Sequence, residues 1–238
     1  TERPSGFYAL IAGITGDRAP TAQIGSIAES VGDAVSGAHE SGGRFYLHSL
    51  TDQLISGKDP RAQLVLALKE DHFILYAQKI QPLAPDAPFP ACLEILLRLQ
   101  EEEQNMALPG GFFPVAEHYN LMGEIDRWVV RSLLKYCAEN RVAQRDWRMP
   151  LFCVNLSSMS LCDPGFPPYV QSELEHRKFP AANLCLELAQ LDVIDHHDAA
   201  QALMSALRSH GCRFTLDAFG TAKVSFAVLK DLTFDFIK

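Results

Sequence analysis

From residue 72 onward the chain alternates short apolar runs with helix-length segments, and each run carries an oxygen-bearing or basic side chain near its end. The runs are FILYAQKI (73–80), LEILLRL (93–99), LFCVNLSS (151–158), LCLELA (184–189) and RFTLDAF (213–219), and FDFIK (234–238) begins one more. Helices are predicted over about 110–118, 122–144, 164–178, 196–210 and 224–231. Strands that alternate with helices in this way predict a parallel sheet. Strands greasy on both faces, polar only toward their C-terminal ends, further predict a (β/α) barrel whose site collects at that rim. A closed eight-stranded barrel takes roughly 250 residues, and about 170 follow residue 70, room for six strands. The expected fold is therefore α/β, a TIM-like (β/α) barrel truncated after its sixth strand. The exposed apolar edge would be met by strands outside this sequence or by another chain.

The first part of the chain reads differently. Residues 5–15 predict a strand, GDRAP a turn and 20–40 a helix that Gly42 and Gly43 stop, followed by the short strand RFYLH. This small α+β fragment, residues 1–50, is too short to bury its own faces. A polar linker, 51–58, leads to Asp59, expected to cap a helix that starts at Pro60 and packs through Leu64 and Leu68. The barrel domain is placed at 59–238, lacking its last two strands. The opening TERPSGFYAL reads as an arbitrary boundary.

Bulk properties narrow the function. The net charge of −8 disfavours sequence-independent binding to DNA or RNA. No run reaches the roughly 18 apolar residues of a membrane span, and no signal peptide opens the chain, so a cytoplasmic protein without membrane insertion is expected. Six cysteines without a CxxC pair predict reduced, mostly buried thiols. Ile125, Val129, Leu133 and Cys137 recur four apart as a core-facing helical stripe.

Glu94, Asn155, Glu187 and Asp217 stand in these apolar strands, where a carboxylate is costly unless it is paired or holds a metal. All four are hard oxygen donors, suited to Mg²⁺, Mn²⁺ or Ca²⁺ rather than zinc. With Arg98 nearby, such a rim suits a phosphate ester held by metal and guanidinium together. Simpler readings stand beside this one. Either glutamate could pair with a buried arginine or lysine, Asn155 could satisfy a strand end, and Asp217 could cap the turn that follows it. The acidic QEEEQ is a solvated face, and Lys79 points to solvent. His196 and His197 belong to the first turn of a helix capped by Asp195, and Trp128 and Trp147 are packing residues.

At this point the motifs resemble a family. LYAQK, Glu94-Ile95-Leu96-Leu97-Arg98, FFPVAEHYNLMGEIDRWVV, VNLS, ELAQ, DAFG and the final lysine occur in the order of the EAL domain, whose members hydrolyse cyclic di-GMP. The resemblance implies that Gln78, Glu94, Leu97 and Arg98, with Asn155, Glu187 and Asp217, hold the nucleotide. It implies vestigial metal ligands at Glu94, Asn155, Glu187 and Asp217, for Mg²⁺ or Mn²⁺, and sets Lys238 on the lysine of the family's KID. Residues 1–48 resemble the end of a GGDEF domain. The chain departs from the family at Ala218, where DDFG supplies a second aspartate, at Gln190, where EITE supplies a second glutamate, and in the loop TAKVSF. These departures imply a degenerate, FimX-like domain with no catalytic residues and no required cofactor. Its expected role is a cyclic di-GMP receptor in twitching motility with a PilZ-domain partner, able to form a homodimer. The alternatives are a weak metal-dependent phosphodiesterase and a nucleotide-free scaffold.

Overall fold

The computed structural model describes residues 59–80, 91–100, 106–107, 109–141, 149–220 and 232–238. The expected fragment 1–50, the linker 51–58, Glu101–Glu103, Trp147, the loop TAKVSF and the helix at 224–231 lie outside the described residues.

Helix α1, Pro60–Lys69, starts on proline, whose missing N–H costs nothing in a first turn. It buries Leu64 and Ala67, three apart, while Leu68 is only half-buried. Strand β1 is Phe73–Ile80 and β2 is Cys92–Gln100, joined in a ladder from Phe73 opposite Leu99 to Ile80 opposite Cys92. That ladder is antiparallel, so the expectation of an all-parallel sheet is corrected at its first strand. The reason is length, because residues 81–91 are too few for the helical crossover of roughly a dozen or more that a parallel pair demands. A two-residue strand that the sequence pattern missed, β3 at Met106–Ala107, pairs antiparallel with the end of β2.

The remainder is a parallel α/β sheet. Strands β4 (Leu151–Leu156), β5 (Leu184–Ala189), β6 (Arg213–Asp217) and β7 (Phe236–Ile237) follow β2 in sequence order. Burial on both faces of β4, β5 and β6 explains their continuous apolar sequence. Between the strands run α2 (Pro109–His118), α3 (Met122–Arg141), the short α4 (Ser158–Leu161), α5 (Phe166–His176), the short α6 (Gln190–Asp195) and α7 (His197–Arg208).

The stripe on α3 faces the core, with Ile125, Val129, Leu133 and Cys137 all buried. Trp128 packs as expected, its ring 5.5 Å from that of Phe73 and its Nε1–H donating to Asp71 Oδ1 at 2.8 Å. Helix α7 buries Ala200, Leu203, Met204 and Leu207, the spacing of one helical face. The helix expected at 196–210 is α7, and the short α6, which the sequence pattern missed, precedes it. Asp195 closes α6, and His196, exposed, takes the N-cap position of α7 without a capping side-chain bond. Asp195 therefore caps nothing, because α6 springs directly from the end of β5 and has already used it.

Candidate functional site

Strand parity and register assemble the rim. In β2 the side chains of Cys92, Glu94, Leu96 and Arg98 share one face, and Leu93, Ile95, Leu97 and Leu99 share the other. Asn155 stands beside Glu187, and the register carries Asp217, two residues past Thr215, to the level of Lys238. Five consecutive neighbours, β2, β4, β5, β6 and β7, thus deliver Glu94, Asn155, Glu187, Asp217 and Lys238 to one place.

The ammonium of Lys238 lies at its centre. Its Nζ donates to Glu94 Oε1 at 2.7 Å and Glu187 Oε2 at 2.9 Å, and stands 3.9 Å from Asp217 Oδ1. Asn155 Nδ2 donates to the same Glu94 oxygen at 3.2 Å, which leaves the amide oxygen free to accept. The two glutamates respond differently to one cation. Burial works to raise Glu94, but the hydrogen bonds from Lys238 and Asn155 carry it below the usual carboxylate range. Glu187 is 2% exposed, and there burial prevails over the ammonium and holds the acid above that range. Lys238 is driven up, since hydrogen bonds to the two glutamates outweigh its own burial. Both glutamates are thus paired with a lysine, and that pairing gathers the four expected rim residues in one place.

Asp217 also accepts from the Ala218 N–H at 2.8 Å, so it does cap its own turn. Ala218 takes φ 55°, a left-handed conformation that an alanine adopts at some cost. Gln190 is buried, and its Oε1 accepts from the Gly220 N–H at 2.8 Å, tying this turn to the end of β5. Beneath the rim, two residues back along each strand, lie Cys92, Cys153, Cys185 and Thr215. Cys185 Sγ is 3.2 Å from Thr215 Oγ1, and Cys153, hydrogen-bonded to Cys185 and buried, is pushed far up.

Four implied residues stand differently. Gln78 lies directly opposite Glu94 on the same face and is exposed. Arg98 lies farther out on that face, its guanidinium 5.6 Å from the Tyr76 ring centre and donating to Leu97 O at 2.7 Å. Four residues of strand, about 13 Å, separate it from Glu94, so it flanks the carboxylate cluster without touching it. The Leu97 side chain is buried on the opposite face, away from Glu94. His196 and His197 follow α6 rather than a strand end, and His197 Nδ1 lies 3.7 Å from Asp198 Oδ1.

Sequence reading missed Asp235. Its carboxylate accepts from Arg208 Nη2 and the Phe214 N–H at 2.8 and 2.9 Å and from Arg213 Nη1 at 3.5 Å, which pins β7 beside β6 and so aims Lys238. The only signal was an acid between two phenylalanines in FDFIK.

A hard divalent cation fits the donor chemistry of the rim, three carboxylates and an amide oxygen already gathered around a positive charge. Among the described residues no three acidic, histidine or cysteine side chains stand as a ready ligand cluster, and the point of convergence is held by Nζ. Two grooves of about 400 and 380 Å³ lie elsewhere, one between α4, α5 and α7 and one between α1 and α3, and no rim residue lines either.

A largely parallel sheet with acids gathered at the C-terminal ends of its strands places the candidate site where (β/α) folds carry theirs. The chain belongs to the EAL domain family, whose profile matches residues 61–238. It is 34% identical over 176 residues to cyclic di-GMP phosphodiesterase PdeF of Escherichia coli, covering 74% of this chain and 23% of that one. To cyclic di-GMP phosphodiesterase PdeB of Shewanella oneidensis it is 28% identical over 176 residues, 74% and 20% of the two chains. The chain thus spans about a quarter or less of these relatives. Among solved structures, the FimX EAL domain of Pseudomonas aeruginosa bound to cyclic di-GMP superposes with a TM-score of 0.68 at 29% identity, over 76% of this chain and 70% of that one.

The likeness to PdeF and PdeB corrects one expectation. A domain without catalysis was expected from Ala218, yet the relatives at 34% and 28% identity are phosphodiesterases by name and point to an enzyme. The physical reason is visible at the rim, where the five-residue cluster is assembled without a side-chain contribution from position 218. Among the described residues, no helix is long and apolar enough to cross a membrane.

Proposed function

We propose that this EAL domain binds cyclic di-GMP over the C-terminal rim and hydrolyses one of its phosphodiester bonds. The observation that carries the proposal is the convergence of Glu94, Asn155, Glu187, Asp217 and Lys238 from five neighbouring strands. Glu94, Asn155, Glu187 and Asp217 would hold a Mg²⁺ or Mn²⁺ ion, which when bound polarises a phosphoryl oxygen and lowers the pKa of water. Lys238 keeps its proton throughout and offsets charge that builds on the phosphate. Burial raises the Glu187 acid, which makes its carboxylate a better acceptor for the proton of an attacking water. Arg98 and Tyr76, stacked and farther out, offer a guanidinium to a phosphate and an aromatic face to a base. Gln78, opposite Glu94, adds an amide for a base edge.

The test is chromatography of cyclic di-GMP incubated with the protein and Mn²⁺. Linear dinucleotide is expected. Glu187→Gln should slow its formation by at least about 100-fold and Lys238→Met by a similar order. Only intact cyclic nucleotide from the wild-type protein would overturn the reading.

The likeness to nucleotide-bound FimX favours a second use of the same site, in which occupancy is relayed to a protein partner of PilZ type. Capture of a purified PilZ-domain protein that strengthens with nucleotide supports this use, and capture indifferent to nucleotide removes it.

A further inference from the structure

Asp126 is a second buried carboxylate, 5% exposed, set in the packing layer on α3 rather than on the rim. A carboxylate in such a place costs several kcal/mol unless its oxygens are well bonded. Its Oδ2 accepts twice from one residue, from the Ser157 N–H at 3.1 Å and from the Ser157 Oγ–H at 2.5 Å. Burial holds the Asp126 acid above its ordinary range, and the bonds from Ser157 offset only part of that rise. Ser157 is the residue directly after β4 and the N-cap of α4, its Oγ accepting from the Ser160 N–H at 3.4 Å. A cap of that kind needs only the serine, so the carboxylate is doing something more than capping.

The next residue on α3 completes the pattern. Arg127 Nη2 donates to Asp163 Oδ2 at 2.8 Å, and its guanidinium lies 5.5 Å from the ring centre of Phe166. Consecutive residues of α3 therefore hold both ends of the segment 157–163, which leaves the sheet two residues after Asn155. Asn155 is exposed, and the partner seen for its amide is Glu94 at 3.2 Å. Its direction is thus governed mainly by the backbone that carries it.

We propose that Asp126 is a positioning residue of the rim: through Ser157 it fixes the C-terminal end of β4 so that the Asn155 amide stays aimed at Glu94. As a statement about turnover this rests on the phosphodiesterase reading; as a statement about Asn155 it does not.

The test uses the whole chain with Asp126→Asn, Ser157→Ala and the double variant. Asp126→Asn keeps the volume but can turn an amide donor toward the Ser157 N–H, and Ser157→Ala removes the hydroxyl while leaving the fold's apolar contacts. Each single variant is expected to lose about tenfold or more in kcat, with KM for cyclic di-GMP changed by less than about threefold. The double variant is expected to be no worse than Asp126→Asn alone. The Asn155 side-chain amide resonance, identified by its disappearance in Asn155→Ala, is expected to shift in both single variants. A lowered Tm with kcat and the Asn155 resonance unchanged would overturn the proposal and leave Asp126 a packing residue. Should Asp126→Asn fail to fold, Ser157→Ala decides by the same two readouts. If wild-type protein yields no linear product, the phosphodiesterase reading fails, and the Asn155 resonance alone decides: a shift supports positioning, and an unmoved peak ends it.

Discussion

At Ala218 two physical demands meet. The position takes φ 55°, which aspartate and asparagine occupy more readily than alanine does, and it adjoins Asp217 on the rim. The segment DAFG resembles the family's DDFG, so Ala218→Asp adds a carboxylate where the backbone already suits it. We expect that variant to raise kcat by about tenfold or more and to lower the Mn²⁺ concentration giving half-maximal rate, with Tm unchanged or slightly higher. An unaltered Mn²⁺ dependence would show that position 218 does not reach the bound ion. The cysteines give a second prediction at this scale. Burial pushes the Cys137 and Cys212 thiols up to about 12, and the hydrogen bond with Cys185 followed by burial pushes Cys153 up, whereas Cys162 is exposed and Cys92 half-buried. A maleimide should label Cys162 first and Cys92 next, and reach Cys137, Cys153, Cys185 and Cys212 only in denaturant. Labelling of Cys153 or Cys185 in the native protein would contradict the packed layer beneath the rim.

Among elements, the join between α3 and the start of α5 depends on charge. The Asp163 carboxylate is held below the usual range, first by the Gly165 N–H and then by Arg127. A depressed folded pKa contributes stability above the unfolded value, and that contribution is lost as pH falls through the folded one. With side chains 28% and 38% exposed, the pair contributes less than about 1 kcal/mol. Asp163→Asn should therefore lower Tm by a few degrees above about pH 5, and the gap should close below about pH 4. A gap that does not narrow as pH falls from about 5 to about 2 would assign the loss to the Gly165 hydrogen bond alone. The elements also show where sequence reading reaches its limit. Strands 73–80 and 184–189 could be placed to the residue from their apolar runs alone. The direction of β1 could not, because period-two patterning is the same for parallel and antiparallel ladders. Only the shortness of residues 81–91 carried that information. The short helix α6 was hidden because it springs directly from the end of β5, with no turn residue between them.

Across the whole molecule charge acts at two ranges. Glu94, Asn155, Glu187 and Asp217 were legible because acids in greasy strands need a purpose. The central place of Lys238 was not, since its three partners lie 21 to 144 residues away and meet it only through the register of β6 and β7. Counting the rim as three carboxylates, Lys238 and Arg98 leaves it one charge negative, on a chain whose net charge is −8. Cyclic di-GMP brings two anionic phosphodiesters to that surface. Without a divalent ion the long-range field opposes binding, and salt that screens it should help. A bound divalent ion turns the local sum from −1 to +1, so the same salt should then weaken binding. Equilibrium dialysis between about 20 and about 300 mM NaCl, where the screening length falls from about 20 Å to under 10 Å, separates the two regimes. Affinity should rise with salt in chelator and fall with salt in saturating Ca²⁺, an ion of the same charge and ligand preference. A fall with salt in both conditions would mean that Arg98 and Lys238 hold the phosphates directly and that the rim acids are neutralised without a divalent ion.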